Sequence, residues 1–203
     1  RTPITVVRGH VELLDDNPQV RAEEVALVLD ELDRMDRLVT DLRVLARSER
    51  PDFLEVDDVD LAELVATIGR KAEALAPRRW SVDVPAGPLP ARVDPHRLTQ
   101  AVLGLVDNAV RVTDVDDAIA IGLRSSGDRA VITVVDTGPG IDEADHGSLF
   151  DPAVRTVRRR PGGTGLGLPI VAAIAAAHRG SVSVRSRAAA GATFEIDLPV
   201  GSP

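Results

Sequence analysis

The run Ala130-Val131-Ile132-Thr133-Val134-Val135 is strongly β-branched, and Asp136-Thr137-Gly138-Pro139-Gly140-Ile141 follows it directly. The first half reads as a buried strand and the second as a tight turn. A carboxylate at a strand end, followed by two glycines, lets the backbone approach a flat ligand closely. Such an aspartate can accept a hydrogen bond from an exocyclic amine like that of adenine. It would reject bases lacking the amine, because the carboxylate would be left unpaired. Taken alone, the same six residues are equally a plain turn.

Outward from this stretch the pattern alternates between strand and helix. Ala118 to Arg124 alternates and turns at Ser125-Ser126-Gly127-Asp128, which predicts a hairpin with the quoted strand. Upstream, Asp60 to Ala76 reads as a helix with Leu61, Leu64, Val65 and Ile68 on one side, and Trp80 to Val84 as a strand. Pro85, Gly87, Pro88 and Pro90 form a turn region. Pro95 to Val112 is a second helix with Val102, Leu105, Val106 and Ala109 on its apolar face and Asn108 at the edge, beside Asp107. A neutral oxygen there suits a Mg²⁺ ion that keeps its waters and phosphates; it is also an ordinary place for a satisfied polar side chain. Downstream, Gly138 to Gly167 is too long for an ordinary connection. It ends in Gly162-Gly163-Thr164-Gly165-Leu166-Gly167-Leu168, opening an Ala-rich helix to His178. Free amides at a helix start, backed by its dipole, make an anion site. No lysine follows these glycines and no strand immediately precedes them, so neither a Walker loop nor a dinucleotide fingerprint is present. Strands over 181–187 and 193–199 close the chain.

The N-terminal quarter differs. Ile4, Val7, Val11 and Leu14 make one helical stripe, broken at Asp15-Asp16-Asn17-Pro18. Val25, Val28, Leu32, Met35, Val39, Leu42 and Ala46 then step by threes and fours, a heptad seam. Leu29, Leu38 and Leu45 add a second stripe. One helix with two apolar stripes needs more than a hairpin partner. A dimeric four-helix bundle would cover both, as would a monomeric hairpin packed on the rest of the chain; the clean heptad favours the dimer. Ser48 to Asp52, with Pro51, reads as a hinge.

Composition closes off several function classes. Aromatics are 2% of the 203 residues, too few for base-stacking platforms. The net charge of −8 argues against a general nucleic-acid or anionic-membrane binder. Cysteine is absent, which excludes disulfides, thiolate metal sites and cysteine nucleophiles. No apolar run approaches a membrane span. The histidines offer no metal spacing: His10 reads as a polar-face residue, His96, His146 and His178 as surface or capping residues. Arg158-Arg159-Arg160 reads as a solvated segment.

In this order and spacing the three segments around Asn108, Asp136 and Gly163 resemble the nucleotide-binding boxes of the histidine kinase ATP-binding domain. That is the Bergerat, or GHKL, fold shared with gyrase, chaperone and mismatch-repair ATPases. The resemblance covers roughly residues 55 to 200. Leu149-Phe150-Asp151-Pro152 looks like the family's phenylalanine box, and Gly191-Ala192-Thr193-Phe194 like its closing motif. Arg1-Thr2-Pro3 and the helix after it resemble the tail of the phosphoacceptor box of sensor histidine kinases.

The resemblance implies an α+β chain: residues 1–50 a dimerisation and phosphotransfer hairpin, incomplete at its start, and 51–203 a catalytic α/β sandwich with a mixed sheet. It implies ATP and Mg²⁺ as cofactors. Asn108 would hold the metal and Asp136 would recognise adenine. Gly138 and Gly140 would shape the base pocket, with Phe150 nearby. Gly163, Thr164, Gly165, Leu166 and Gly167 would hold the phosphates, and Arg111 and Arg155 would contact them. Thr193 would support the Asp136 carboxylate. Thr2 would place the water that dephosphorylates a response regulator. The implied activity is transfer of the γ-phosphate to a bundle histidine and on to a response-regulator aspartate. The acceptor histidine would stand just before Arg1, so the chain by itself is expected to bind ATP without labelling itself. The implied partners are a second copy and a receiver domain, with neither nucleic acid nor membrane contact. The implied location is cytoplasmic, within a parent anchored in the bacterial inner membrane. Gly104 stands where hydrolysing relatives carry a glutamate, so no general base for water is expected. Two other readings are a non-catalytic dimeric nucleotide-binding scaffold and an anti-sigma-type serine kinase on the same fold. The N-terminal hairpin speaks against the second.

Overall fold

The computed structural model describes residues 18–152 and 164–200. The expectations placed on Thr2, His10, Arg155, Arg158 to Arg160 and Gly163 lie outside these residues.

Helix α1 (Pro18–Arg47) is the second arm of the expected hairpin. It stops where foreseen: the Ser48 hydroxyl donates to the Leu45 carbonyl at 2.8 Å, and turns with Pro51 follow. Neither apolar stripe is wholly covered, and Leu29 of the second is 56% exposed. Val44 and Leu45 pack on the core of the C-terminal part, through contact with a later helix. The seam residues Val25, Leu32, Val39 and Leu42 stay 41% to 55% exposed.

Strand β1 (Asp57–Asp60) leads into α2 (Leu61–Glu73). The Asp60 carboxylate accepts from the Ala62 and Leu89 amides, both at 3.0 Å, so one side chain caps the helix and fixes a distant loop. After β2 (Arg79–Asp83), the proline-rich region read only as a turn also holds β3 (Pro90–Val93). It pairs antiparallel with β1 in a small separate sheet. The sequence reading missed both strands, which are four residues each: β1 has Val59 as its one apolar residue, and β3 turns only Ala91 and Val93 inward.

Helix α3 (Pro95–Val112) has the predicted bounds, with proline in its first turn, where no amide hydrogen is needed. Strands β4 (Ala118–Ser126) and β5 (Arg129–Asp136) form the hairpin. Helix α4 (Gly167–Ala177), β6 (Ser181–Ser186) and β7 (Ala192–Pro199) complete the chain. The main sheet runs β2-β4-β5-β7-β6, with β2 parallel to β4 and every other pair antiparallel. It is the mixed sheet expected.

Alternation decides its two faces. Ile119, Ile121, Ile132, Val134, Phe194, Ile196 and Leu198 point inward and are buried under α2, α3 and α4. Each such side chain stabilises the fold by about 1.5–3 kcal/mol. The outer face is polar: Glu195 receives Arg124 at 2.8 Å and Arg185 at 2.7 Å, and Asp197 receives Arg129 at 2.8 Å.

His178 meets the capping alternative of its expectation. It ends α4 as a capping residue should, but it is buried and not at the surface. Its Nδ1 sits 2.8 Å from the Ile174 carbonyl, and its Nε2 accepts from the Asp94 amide at 3.0 Å. The proton therefore sits on Nδ1. Asp94, in turn, accepts from the His96 and Arg97 amides as the α3 cap and from the Glu55 amide at 2.8 Å. One buried aspartate joins the start of α3, the end of α4 and the segment after the hinge.

Candidate active site

Helix α3 crosses the inner face of the sheet, and a cavity of about 650 Å³ opens along it. One wall is α3 itself, with Gln100, Gly104, Asp107, Asn108, Arg111 and Val112. The strand end and turn supply Asp136, Pro139, Gly140 and Ile141, backed by Ala192 and Phe194. The start of α4 supplies Thr164, Gly165, Gly167 and Leu168. The far rim is the 3-10 turn Glu143–Ser148 and its flanks, with Asp142, Asp145 and Leu149.

Asp136 is 3% exposed at the end of β5. Its Oδ1 accepts from the Gly138 amide at 2.9 Å. Burial pushes its pKa up, and the Asp117 charge adds to that; the Gly138 and Ala192 amides pull the other way. A Cβ on Gly138 would lie 2.9 Å from the Val112 carbonyl oxygen, too close for any larger residue. Gly140 has φ +70°, and a side chain there would overlap the Arg187 carbonyl. Both glycines are thus required by the turn that carries the carboxylate, which the sequence reading assigned to shaping the pocket.

The opposite end of the cavity is the start of α4. The residue preceding α4, Leu166, provides no side-chain cap. The first amides of the helix therefore carry the positive end of its dipole without a cap from that residue, and the Asp41 carboxylate stands beyond Thr164. Gly165 has φ +76°. The Thr164 hydroxyl accepts from the Leu166 amide at 3.2 Å and donates to Asp41 of α1 at 2.7 Å. Arg111 lines the wall and pairs with Asp107 at 2.8 Å. Asn108, between these ends, lines the cavity as well.

The structure therefore brings Asn108, Arg111, Asp136, Gly140, Thr164, Gly165 and Gly167 to one cavity. Phe150 lies behind it, edge-on to Phe194 with ring centroids 6.4 Å apart. Leu166 packs against the core. Thr193 is elsewhere: alternation along β7 turns it to the outer face, on the side opposite Phe194. Residue 192 is the one paired with Asp136 in register, and its backbone amide supports the carboxylate, so the role given to Thr193 falls to the main chain of Ala192. Other polar residues of the lining were missed, Asp142 and Asp145 on the far rim among them. Arg37 and Asp41 reach the cavity from α1, and Gln100 lies one turn before Gly104. Nothing local in the sequence marks them, since α1 reaches the cavity only through tertiary packing.

Among the described residues no group of three or more histidine, cysteine, aspartate or glutamate side chains could hold a metal ion. The donor set instead fits a hard cation that takes one neutral protein oxygen, from Asn108, and completes its shell with water and phosphate.

The profile of the histidine kinase-, DNA gyrase B- and HSP90-like ATPases matches residues 93–202. The chain belongs to that family. The His Kinase A (phospho-acceptor) domain profile matches residues 1–51, so the order is that of a two-component sensor histidine kinase core. The core is 36% identical over 193 residues to the probable sensor histidine kinase TcrY of Mycobacterium tuberculosis, covering 92% of this chain and 41% of that protein. It is 36% identical over 198 residues to the sensor histidine kinase TrcS of the same organism, covering 92% and 39%. The chain thus spans about two fifths of these curated relatives. In fold the core is similar to histidine kinase AdeS of Acinetobacter baumannii, with TM-score 0.78 at 24% identity over 100% of this chain and 97% of that one. Full-length ShkA, solved in complex with AMPPNP, gives TM-score 0.74 at 28% identity over 100% and 44%.

Proposed function

We propose that the chain is the ATP-dependent kinase core of a two-component protein. It would pass the γ-phosphate to a histidine on a helical bundle and then to an aspartate of a response regulator. The observation that carries this reading is the buried Asp136 carboxylate at one end of a cavity whose other end is an uncapped helix start. A purine amine would donate to Asp136, and the phosphates would lie against the α4 amides and Arg111. Asn108 would hold Mg²⁺, which when bound neutralises charge on the phosphates. Positioning then supplies most of the rate, with the imidazole forming the N–P bond as ADP leaves. Gly104 faces the cavity without a side chain, and a Cβ there would meet only Val171, at 3.4 Å. No carboxylate stands at that position to activate water, which favours transfer to a protein nucleophile over hydrolysis.

Residues 1–50 and 51–203 are the hairpin and the catalytic domain in this reading, supported by the break at Ser48. The exposed seam on α1 supports a homodimer through the hairpin. Arg155 and Gly163 would add to the phosphate grip, and Thr2 would serve a phosphatase step on the regulator. No helix of the described residues is long and apolar enough to cross a membrane. A cytoplasmic location within a membrane-anchored parent is part of the same proposal.

The test is direct. Labelled Mg·ATP is incubated with the chain and a separate hairpin carrying an acceptor histidine. Label on that histidine supports the kinase; nucleotide binding without any transfer would leave only a scaffold.

A further inference from the structure

The nucleotide site is not confined to the α/β part of the chain. Helix α1 sends Arg37 and Asp41, one turn apart, into the cavity. The Asp41 carboxylate accepts the Thr164 hydroxyl proton at 2.7 Å, across 123 residues of sequence. The same hydroxyl oxygen accepts from the Leu166 amide at 3.2 Å. A chain of two bonds therefore runs from the dimerisation helix to one of the amides at the start of α4. While it stands, the Leu166 amide is directed at Thr164.

Charge works in the same direction. Asp41 faces Asp107 of α3 across the cavity and has Arg37 on its own helix; these are the charged groups that act on it, alongside the Thr164 hydroxyl. A carboxylate placed at this end occupies ground that triphosphate oxygens would need, and the two anions repel. Binding of phosphate at the Leu166 amide and seating of α1 on the loop are therefore alternatives. By linkage each weakens the other equally.

We propose that Asp41 is a positioning residue that acts through Thr164 to hold the Thr164–Leu166 segment in a state unready for the triphosphate. The hairpin thereby lowers the ATP affinity of its own catalytic part, and any movement that lifts α1 from that segment raises it. The inference rests on the adenine-nucleotide reading of the cavity.

The experiment compares the whole chain with Asp41→Ala and Asp41→Asn, titrated by calorimetry with AMPPNP, ADP and adenosine in the presence of Mg²⁺. Release of a hydrogen bond and a like charge should tighten AMPPNP about three- to tenfold in Asp41→Ala. Asn keeps an acceptor for Thr164 but loses the charge, so it should fall between. Adenosine, which reaches only the Asp136 end, should bind all three proteins alike. Hydrogen exchange at the Leu166 amide, measured without nucleotide, should quicken in Asp41→Ala and less so in Asp41→Asn. If the wild-type chain binds none of the three ligands, the nucleotide reading itself fails. If it binds them, and neither substitution changes AMPPNP affinity or Leu166 exchange, the role of Asp41 is refuted. An equal change for adenosine and AMPPNP also refutes it, because that would mark a general structural effect.

Discussion

Asp136 faces two opposed demands. On the adenine reading its carboxylate must be charged to hold an amine, yet burial favours the neutral acid and raises its pKa from the usual aspartate value. The sign follows from linkage. An acid whose pKa is raised by folding contributes stability at pH below its unfolded value, and that contribution is lost as pH rises through the folded value. Nucleotide affinity runs the other way, falling as pH drops through the raised pKa and thus at higher pH than an exposed aspartate would give. Calorimetric titration of adenosine across the acid range should show both the loss and its displacement. Asp136→Asn should weaken ATP by about ten- to hundredfold at neutral pH, the loss expected for a hydrogen bond to a charged group. A pH-independent affinity in the wild-type chain would contradict this account. The residues legible in the sequence at this scale are those whose chemistry is local. Asp136, Gly138 and Gly140 sit in six consecutive positions, and Asn108 and Arg111 on one helical face. The support from Ala192 was not legible, because it comes from a backbone amide, which any residue but proline would offer in that register.

Elements rather than side chains explain why Asp94 matters. A cap usually serves one helix. Here the carboxylate accepts from two α3 amides and from Glu55, while its own amide donates to His178 beyond α4. Replacing it by alanine removes the cap and leaves the Glu55 amide without that acceptor. Asp94→Ala should cost about 2 kcal/mol or more, at the upper end for caps. Urea denaturation monitored through the single tryptophan, Trp80, measures it; a loss under half that value would mean the junction is held by something else. The helix bounds themselves were plain in the sequence, because Pro95 and the glycine before Leu168 fix starts. The strands β1 and β3 were not, since β1 has a single apolar residue among aspartates and the two inward residues of β3, Ala91 and Val93, are too few to make a pattern behind the prolines. His178, read as a surface or capping residue, does cap its helix, and its burial was the part not legible. A histidine after an alanine-rich helix is ordinarily at the surface, and only the packing of α4 against the β3–α3 junction buries it.

At the scale of the whole molecule, α1 has one face on the catalytic part and the other in solvent. Val25, Leu32, Val39 and Leu42 form a row that nothing among the described residues covers. Placing charges in it should abolish self-association at little cost to the folded chain. Leu32→Glu with Val39→Glu is expected to sediment as a monomer at concentrations where the wild type is dimeric. Its adenosine affinity should be unchanged, because Asp136 lies elsewhere. A double variant that remains dimeric would move the dimer contact away from this seam.

The segment between the end of α1 and Phe53 has a geometric meaning of its own. Phe53 is buried, with the Arg97 guanidinium 4.5 Å above its ring, and Glu55 is tied to Asp94 two residues later. Ser48 to Asp52 join the two anchored ends through tight turns, the Arg50 amide donating to the Arg47 carbonyl at 2.9 Å and the Phe53 amide to the Arg50 carbonyl at 3.1 Å. Five residues span at most roughly 17 Å when fully drawn out. On the proposed kinase reading, a catalytic part held on so brief a cord would sweep a small arc, and an acceptor imidazole outside that arc would not meet the donor, however well the donor is loaded. Lengthening the cord would therefore widen the set of reachable recipients and blur the choice between a protomer's own bundle helix and its neighbour's.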